Sequence, residues 1–160
     1  MTRVTNYTFE DISIGTSAEH QQHIREEDIR MFAALSGDNN PVHLDHEYAQ
    51  KTPFGGVVAH GMYCGALVSR VLGTQLPGPG TIYLSQSLSF RAPVFPGDDL
   101  TVRIEVVALH ERKPIVTLKC VITNQHGKVV TEGESVVAAP TTKESIDMPA
   151  LPVFKEKLDA

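Results

Sequence analysis

Two hydrophobic periods divide the chain, a helical one from residue 26 to 73 and an alternating one from residue 82 to 139. In the first part, Ile29, Phe32, Ala33 and Leu35 recur at helical spacing, with Glu26, Glu27 and Asp28 in the first turn and Gly37 just past the end. Acidic residues favour the positive end of a helix and glycine its exit, so the pattern predicts a helix over 26–36. Asp45 is placed to cap a short helix over 46–51, which Thr52-Pro53-Phe54-Gly55-Gly56 must end. Residues 61–73 are apolar on almost every side, the mark of a buried helix, and Gly65, Ala66 and Ser69 are small enough to let a sheet approach.

After the stop Leu76-Pro77-Gly78-Pro79-Gly80 the period becomes two. Ile82, Leu84, Leu88 and Phe90 are predicted on one face of a strand, with Thr81, Tyr83, Ser85, Ser87 and Ser89 on the other. Leu100, Val102, Ile104 and Val106 form a second strand, and Val116, Leu118, Cys120 and Ile122 a third. Gln125-His126-Gly127-Lys128 is a hairpin turn into a fourth strand over 129–139. Connections this short predict antiparallel pairing. Phe9, Ile12 and Ile14 predict an edge strand or extended lead-in. Helices first and strands after make an α+β fold, one long helix wrapped by a curved antiparallel sheet. An open sheet of this kind keeps an edge that a second copy can pair with, so a homodimer is expected. Residues 1–140 read as one domain and 141–160 as a tail lying over its surface.

Composition narrows the partners. Hydrophobic residues at 41% and charged residues at 21% belong to a globular domain, and a net charge of -5 argues against nucleic acid or an anionic membrane surface. Met62 to Leu72, the most apolar stretch, is much shorter than the roughly 20 residues that span a bilayer, and the amino terminus lacks a secretory pattern. A cytoplasmic location is expected. Cys64 and Cys120 each sit inside an apolar stretch, as reduced core residues do.

The chemistry concentrates in Ser36-Gly37-Asp38-Asn39-Asn40-Pro41-Val42-His43 and in His60-Gly61-Met62 at the head of the apolar helix. Pro41 disfavours helix at Asn40, and the resulting turn can bring Asp38 and His43 to one side. A carboxylate beside an imidazole can grip one water from two directions and pass protons. The start of the following helix offers unpaired N–H groups, and Gly61 has no side chain to block an approaching carbonyl oxygen. Taken alone, an Asp after a helix-ending glycine is usually a turn or cap residue and a lone loop His usually a surface residue.

These two segments, with Ile82-Tyr83-Leu84-Ser85-Gln86-Ser87-Leu88-Ser89-Phe90, Pro93-Val94-Phe95 and Gly97-Asp98, resemble the MaoC-like hot-dog family, in particular its (R)-specific enoyl-CoA hydratases, over roughly residues 8–139. The resemblance implies a hot-dog fold and reversible syn hydration of a trans-2-enoyl-CoA thioester to the (R)-3-hydroxyacyl-CoA, without metal or other cofactor. It further implies that Asp38 and His43 activate the water and that the Gly61 N–H polarises the thioester carbonyl. Ser69 matches a hydroxyl position of the family that orients the water or Asp38; a bond to a helix carbonyl is an equal reading. Asn40 is a candidate for fixing the loop, Gln86 a polar break in an apolar strand face, and Phe54 and Tyr63 candidates for an acyl tunnel, although apolar residues are core by default.

Other readings fare less well. His20/His23 and His43/His46 have a two-histidine spacing but no third ligand in a zinc pattern, so no metal is expected. Dinucleotide, Walker and nucleophile-elbow motifs are absent from the sequence. Alternatives that keep the thioester are a 3-hydroxyacyl dehydratase on acyl carrier protein, a hydratase of a branched or dicarboxylic enoyl-CoA, a hot-dog thioesterase, and a noncatalytic acyl-binding protein. The product, on the leading reading, feeds polyhydroxyalkanoate storage polymer or belongs to fatty-acid metabolism.

Overall fold

The computed structural model describes residues 2–154. Five antiparallel strands make the main sheet: β2 (Ser17–His23), β3 (Ile82–Phe90), β4 (Asp99–Leu109), β5 (Ile115–Thr123) and β6 (Val129–Ala138), in the order β2-β4-β5-β6-β3. The helices come between β2 and β3: α1 (Glu26–Ser36), the single turns α2 (Pro41–Leu44) and α3 (His46–Gln50), and α4 (Gly61–Thr74). A separate two-stranded ribbon pairs β1 (Arg3–Thr5) with β7 (Ser145–Asp147). The predicted tail therefore begins on this ribbon; its residues 155–160 lie outside the described residues.

Alternation along β4 and β5 sets the core. Leu100, Val102, Ile104 and Val106 of β4 and Val116, Leu118, Cys120 and Ile122 of β5 are all buried, and so are Cys64, Leu67, Val68, Val71 and Leu72 of α4. Each such aliphatic side chain contributes roughly 1.5–3 kcal/mol on full burial, which makes the helix-on-sheet layer the main source of stability. Helix α4 is nevertheless not buried all round. Met62, Ala66, Ser69 and Arg70 are exposed along one face, and two glycines rather than the small residues as a group admit the sheet. A Cβ at Gly61 would stand 2.9 Å from Phe90, and one at Gly65 would stand 3.1 Å from Leu88.

Two local expectations are corrected, and one strand lies where none was expected. Residues Phe9–Asp11 form a 3-10 turn rather than an extended strand, because the Asp11 carboxylate accepts from both the N–H and the hydroxyl of Thr8 at 2.8 Å. Strand β2 has no apolar signature: it is an edge strand whose inward positions are Ala18, His20 and Gln22, only half-buried. In β3 the register shifts between Tyr83 and Ser85, so Tyr83 opposes Val137, while Gln86, Leu88 and Phe90 oppose Ser135, Gly133 and Thr131. Opposed residues share a face. The bulge thus puts Tyr83 with Gln86, Leu88 and Phe90 on the helix side and leaves Ile82 on the other.

Strand β3 lies at one edge of the sheet and β4 next to the other, so residues 91–98 carry the chain across. On the way Val94 accepts a hydrogen bond from the Ala59 N–H at 2.8 Å. That contact ties the crossing to the segment leading into α4. The Gly97-Asp98 turn is locked by the buried Asp98 carboxylate, which accepts from the Phe95 N–H at 2.8 Å and from the Gln125 amide at 2.9 Å.

Candidate active site

The loop after α1 is built from short-range bonds. Helix α1 starts without a Ser or Thr cap; the Asp28 carboxylate instead accepts from the Arg25 N–H at 3.1 Å and pairs with its guanidinium at 2.6 Å. It ends at Gly37, whose φ of 77° and N–H bond to the Ala33 carbonyl make a left-handed exit suited to glycine. Ser36 donates its hydroxyl to the Phe32 carbonyl at 2.7 Å and accepts from the Asp38 N–H at 3.2 Å. Asp38 then accepts from the Asn40 N–H at 3.2 Å, and Asn40 from the Val42 N–H at 3.3 Å. Asn40 is thereby the cap of α2, and Pro41 occupies its first position, where no N–H is needed.

The short turn α2 aims His43 back at the segment before α4. Its Nδ1 lies 2.7 Å from the Val58 carbonyl. A carbonyl only accepts, so Nδ1 carries a proton, and the tautomer this bond selects has its lone pair on Nε2. His60, buried at 3% exposure, stacks on His43 with centroids 3.8 Å apart and planes 25° apart. Its Nε2–H donates to the main-chain carbonyl of Asp38 at 3.0 Å.

An Asp38 carboxylate oxygen and one ring nitrogen each from His43 and His60 lie within 4.8 Å of one another. That spread fits one water held by two hydrogen bonds of ordinary length, about 2.8 Å each. The two stacked imidazoles cannot share one metal ion. A ligand lone pair lies in its ring plane, and an ion about 2.1 Å from one nitrogen cannot sit in both of two stacked planes.

His43, His60 and Gly61 line a cavity of about 500 Å³, together with Phe54, Phe90 and the buried Cys64 and Thr131. Gly61 opens α4, so its N–H is among the unpaired donors of a helix start. Burial pushes the Cys64 thiol up, away from the thiolate form. Of the sequence-predicted residues, the cavity takes in His43, Gly61 and Phe54, and the exposed Asp38 reaches the group through its carboxylate. Tyr63 packs edge-on against Phe32 of α1, centroids 5.7 Å apart, and burial pushes its hydroxyl up to about 12. Ser69 stands exposed two turns along α4, and Gln86 lies on β3, accepting from Tyr83 and Ser135 and donating to the Ser87 carbonyl at 2.8 Å. His60 belongs to the sequence motif, but the motif assigns it no role of its own. Its signal was present all the same, as a histidine directly before the glycine that opens the apolar helix.

The sequence and the fold both have relatives among known proteins. The chain matches the MaoC like domain over residues 10–133. It belongs to the MaoC-like family. An (R)-specific enoyl-CoA hydratase of Rhodospirillum rubrum is 49% identical over 132 residues, 82% of this chain and 91% of that one. A 3-hydroxybutyryl-CoA dehydratase of Methylorubrum extorquens is 42% identical over 137 residues, covering 86% and 87%. Among solved structures, R-hydratase PhaJ1 from Pseudomonas aeruginosa, in its unliganded form, superposes with a TM-score of 0.93 at 44% identity, over 98% of this chain and all of that one. The MaoC-like chain accordingly has the hot-dog fold expected from its motifs, α4 being the helix and the five-stranded sheet its wrapping. No helix among the described residues is long and apolar enough to cross a membrane.

Proposed function

We propose that this MaoC-like protein is a hydro-lyase that reversibly hydrates a trans-2-enoyl-CoA to the (R)-3-hydroxyacyl-CoA. The observation that carries the reading is the approach of the Asp38 carboxylate and the His43 ring to within 4.8 Å beside the cavity that Gly61 opens. The acyl end of the thioester enters that cavity with its carbonyl oxygen on the Gly61 N–H. Water held by Asp38 and by Nε2 of His43 adds its oxygen to the β carbon while one of its protons passes to the pair. Electron density moves to the thioester oxygen, where a fixed backbone donor is worth about 2.7–4 kcal/mol. The α carbon then takes a proton from the same side, giving syn addition and returning both side chains to their starting forms. Identities of 42–49% to relatives named as hydratase and dehydratase support both directions of this reaction.

A second copy belongs to the functional unit. Edge strand β3 has an unpaired flank, and Met62, Ile82, Leu84 and Phe90 beside it are half or more exposed, at 50–62%. Such an apolar edge is covered most simply by its own twin across a two-fold axis. Light scattering should then give twice the 17.5 kDa chain mass; a monomer at assay concentration would remove this part.

Crotonyl-CoA is the test substrate. The purified protein should consume the enoyl absorbance and form (R)-3-hydroxybutyryl-CoA. Release of free thiol without hydroxyacyl product would instead favour thioester hydrolysis. A chain-length series in the same assay will define the acyl preference.

A further inference from the structure

His60 touches both halves of the Asp38/His43 pair, although it is 22 residues from one and 17 from the other. Its Nε2–H holds the main-chain carbonyl of Asp38 at 3.0 Å. One ring face lies against His43, and Phe32 of α1 packs on the ring with centroids 5.0 Å apart. The other ring nitrogen, Nδ1, is buried and has no hydrogen-bond partner among the described residues.

That unpaired nitrogen is informative. A buried polar atom without a partner costs stability, whereas a phenylalanine of nearly the same shape would fill the space without that cost. Packing alone therefore does not account for an imidazole here. Helix capping does not either, because His60 makes no side-chain bond to the start of α4. What a phenyl ring would lose is the Nε2–H donor on Asp38. Asp38 needs such a tether: it is exposed, in a turn otherwise closed by the Ser36 and Asn40 contacts at 3.2 Å and by the Asn39 N–H on the Gly37 carbonyl at 3.1 Å.

We propose that His60 is a positioning residue, which holds the Asp38 backbone through Nε2–H and the plane of His43 through its ring face, so that carboxylate and imidazole meet the same water. The inference rests on the hydratase reading above. It gives the sequence His60-Gly61 two adjacent duties, one setting the geometry of the proton-transfer pair and the next meeting the substrate carbonyl.

Three variants test it. His60→Phe keeps the ring and removes the donor; His60→Gln puts an amide nitrogen near the place of Nε2; His60→Asn puts one near Nδ1. The Phe variant should melt no lower than wild type yet lose about 10- to 100-fold in kcat, as a displacement of about 1 Å does, with KM for crotonyl-CoA changed less than about threefold. Gln should recover several-fold over Phe, and Asn should not. A Phe variant within about threefold of wild-type kcat, or losses across the three that follow melting temperature instead of the position of the amide, overturns the proposal. Should the Phe variant not fold, Gln against Asn decides by the same ranking. A wild-type protein inactive on crotonyl-CoA would overturn the functional reading, whereas active wild type with an equally active Phe variant overturns this inference alone.

Discussion

Gly133 of β6 lies so close beneath the Ser87 carbonyl of β3 that a Cβ at residue 133 would fall 1.9 Å from that oxygen. The obstacle is backbone, so no side chain can swing aside. Gly133→Ala should therefore push β3 off the sheet and cost about 3 kcal/mol, the upper range for overpacking. Because Phe90 ends β3 and lines the cavity, turnover should fall as well. A denaturant midpoint within error of wild type would show that β3 is not held there.

The proton-transfer pair should be separable from folding. Asp38→Asn and His43→Gln should each lower kcat by about 10²- to 10⁴-fold, the usual range for general acid–base groups. Asp38 is exposed, so its substitution should move stability by no more than about 0.5 kcal/mol. Circular dichroism and melting measured beside the crotonyl-CoA assay check both halves. Near wild-type rates in both variants would remove the site assignment.

Gly61 and Phe90 should behave as a coupled pair. With a Cβ at 61 standing 2.9 Å from the Phe90 ring, Gly61→Ala must displace that ring or be displaced by it. A loss of about 10-fold or more in kcat/KM is expected for the single variant. Phe90→Leu should restore part of it, since residues in contact are not additive. Simple additivity in the double-mutant cycle would contradict the contact.

Acid sensitivity should involve the amino-terminal turn. The Lys143 ammonium, with the Thr8 hydroxyl and N–H, lowers the Asp11 carboxyl from 3.8 to about 2. A carboxyl that is more acidic in the folded state stabilises it above the unfolded value, and that contribution is lost as pH falls from about 4 to about 2. Asp11 is solvent-exposed, so the effect is small and the Lys143 part weakens with salt. Melting curves of wild type and Asp11→Asn should differ at neutral pH and converge across that interval; a constant gap down to pH 2 would contradict the linkage.

The legible parts of the fold were those whose burial is one-sided and regular. Helices α1 and α4 and strands β4 and β5 carry regular apolar periods, and the structure places them where the periods do; β6, interrupted by Thr131 to Ser135, is announced by the 125–128 hairpin turn. Strand β2 was hidden because an edge strand with only half-buried Ala18, His20 and Gln22 has no apolar alternation to read. The bulge after Tyr83 was equally invisible, since it reverses a face without changing composition. At the site, the Asp38 to His43 spacing and Gly61 were visible as residue types at suggestive distances. The role of Asn40 as a cap, the Val58 bond that sets the His43 tautomer, and the reach of His60 across 22 residues depend on tertiary geometry that spacing does not encode.

The β1–β7 ribbon has a topological consequence. Arg3 pairs with Asp147, and the buried Asn6 ties the first strand to Pro79, Thr142 and Glu144 through bonds of 2.9–3.2 Å. Residues 3 and 147 thus lie side by side, like the two halves of a clasp. A short linker from Asp147 to Arg3 can join these two strands and the 125–128 hairpin can be opened to give new ends, leaving the run from Asp38 through Gly61 uninterrupted. Such a permuted chain would fold around the same pair of side chains from a different starting point.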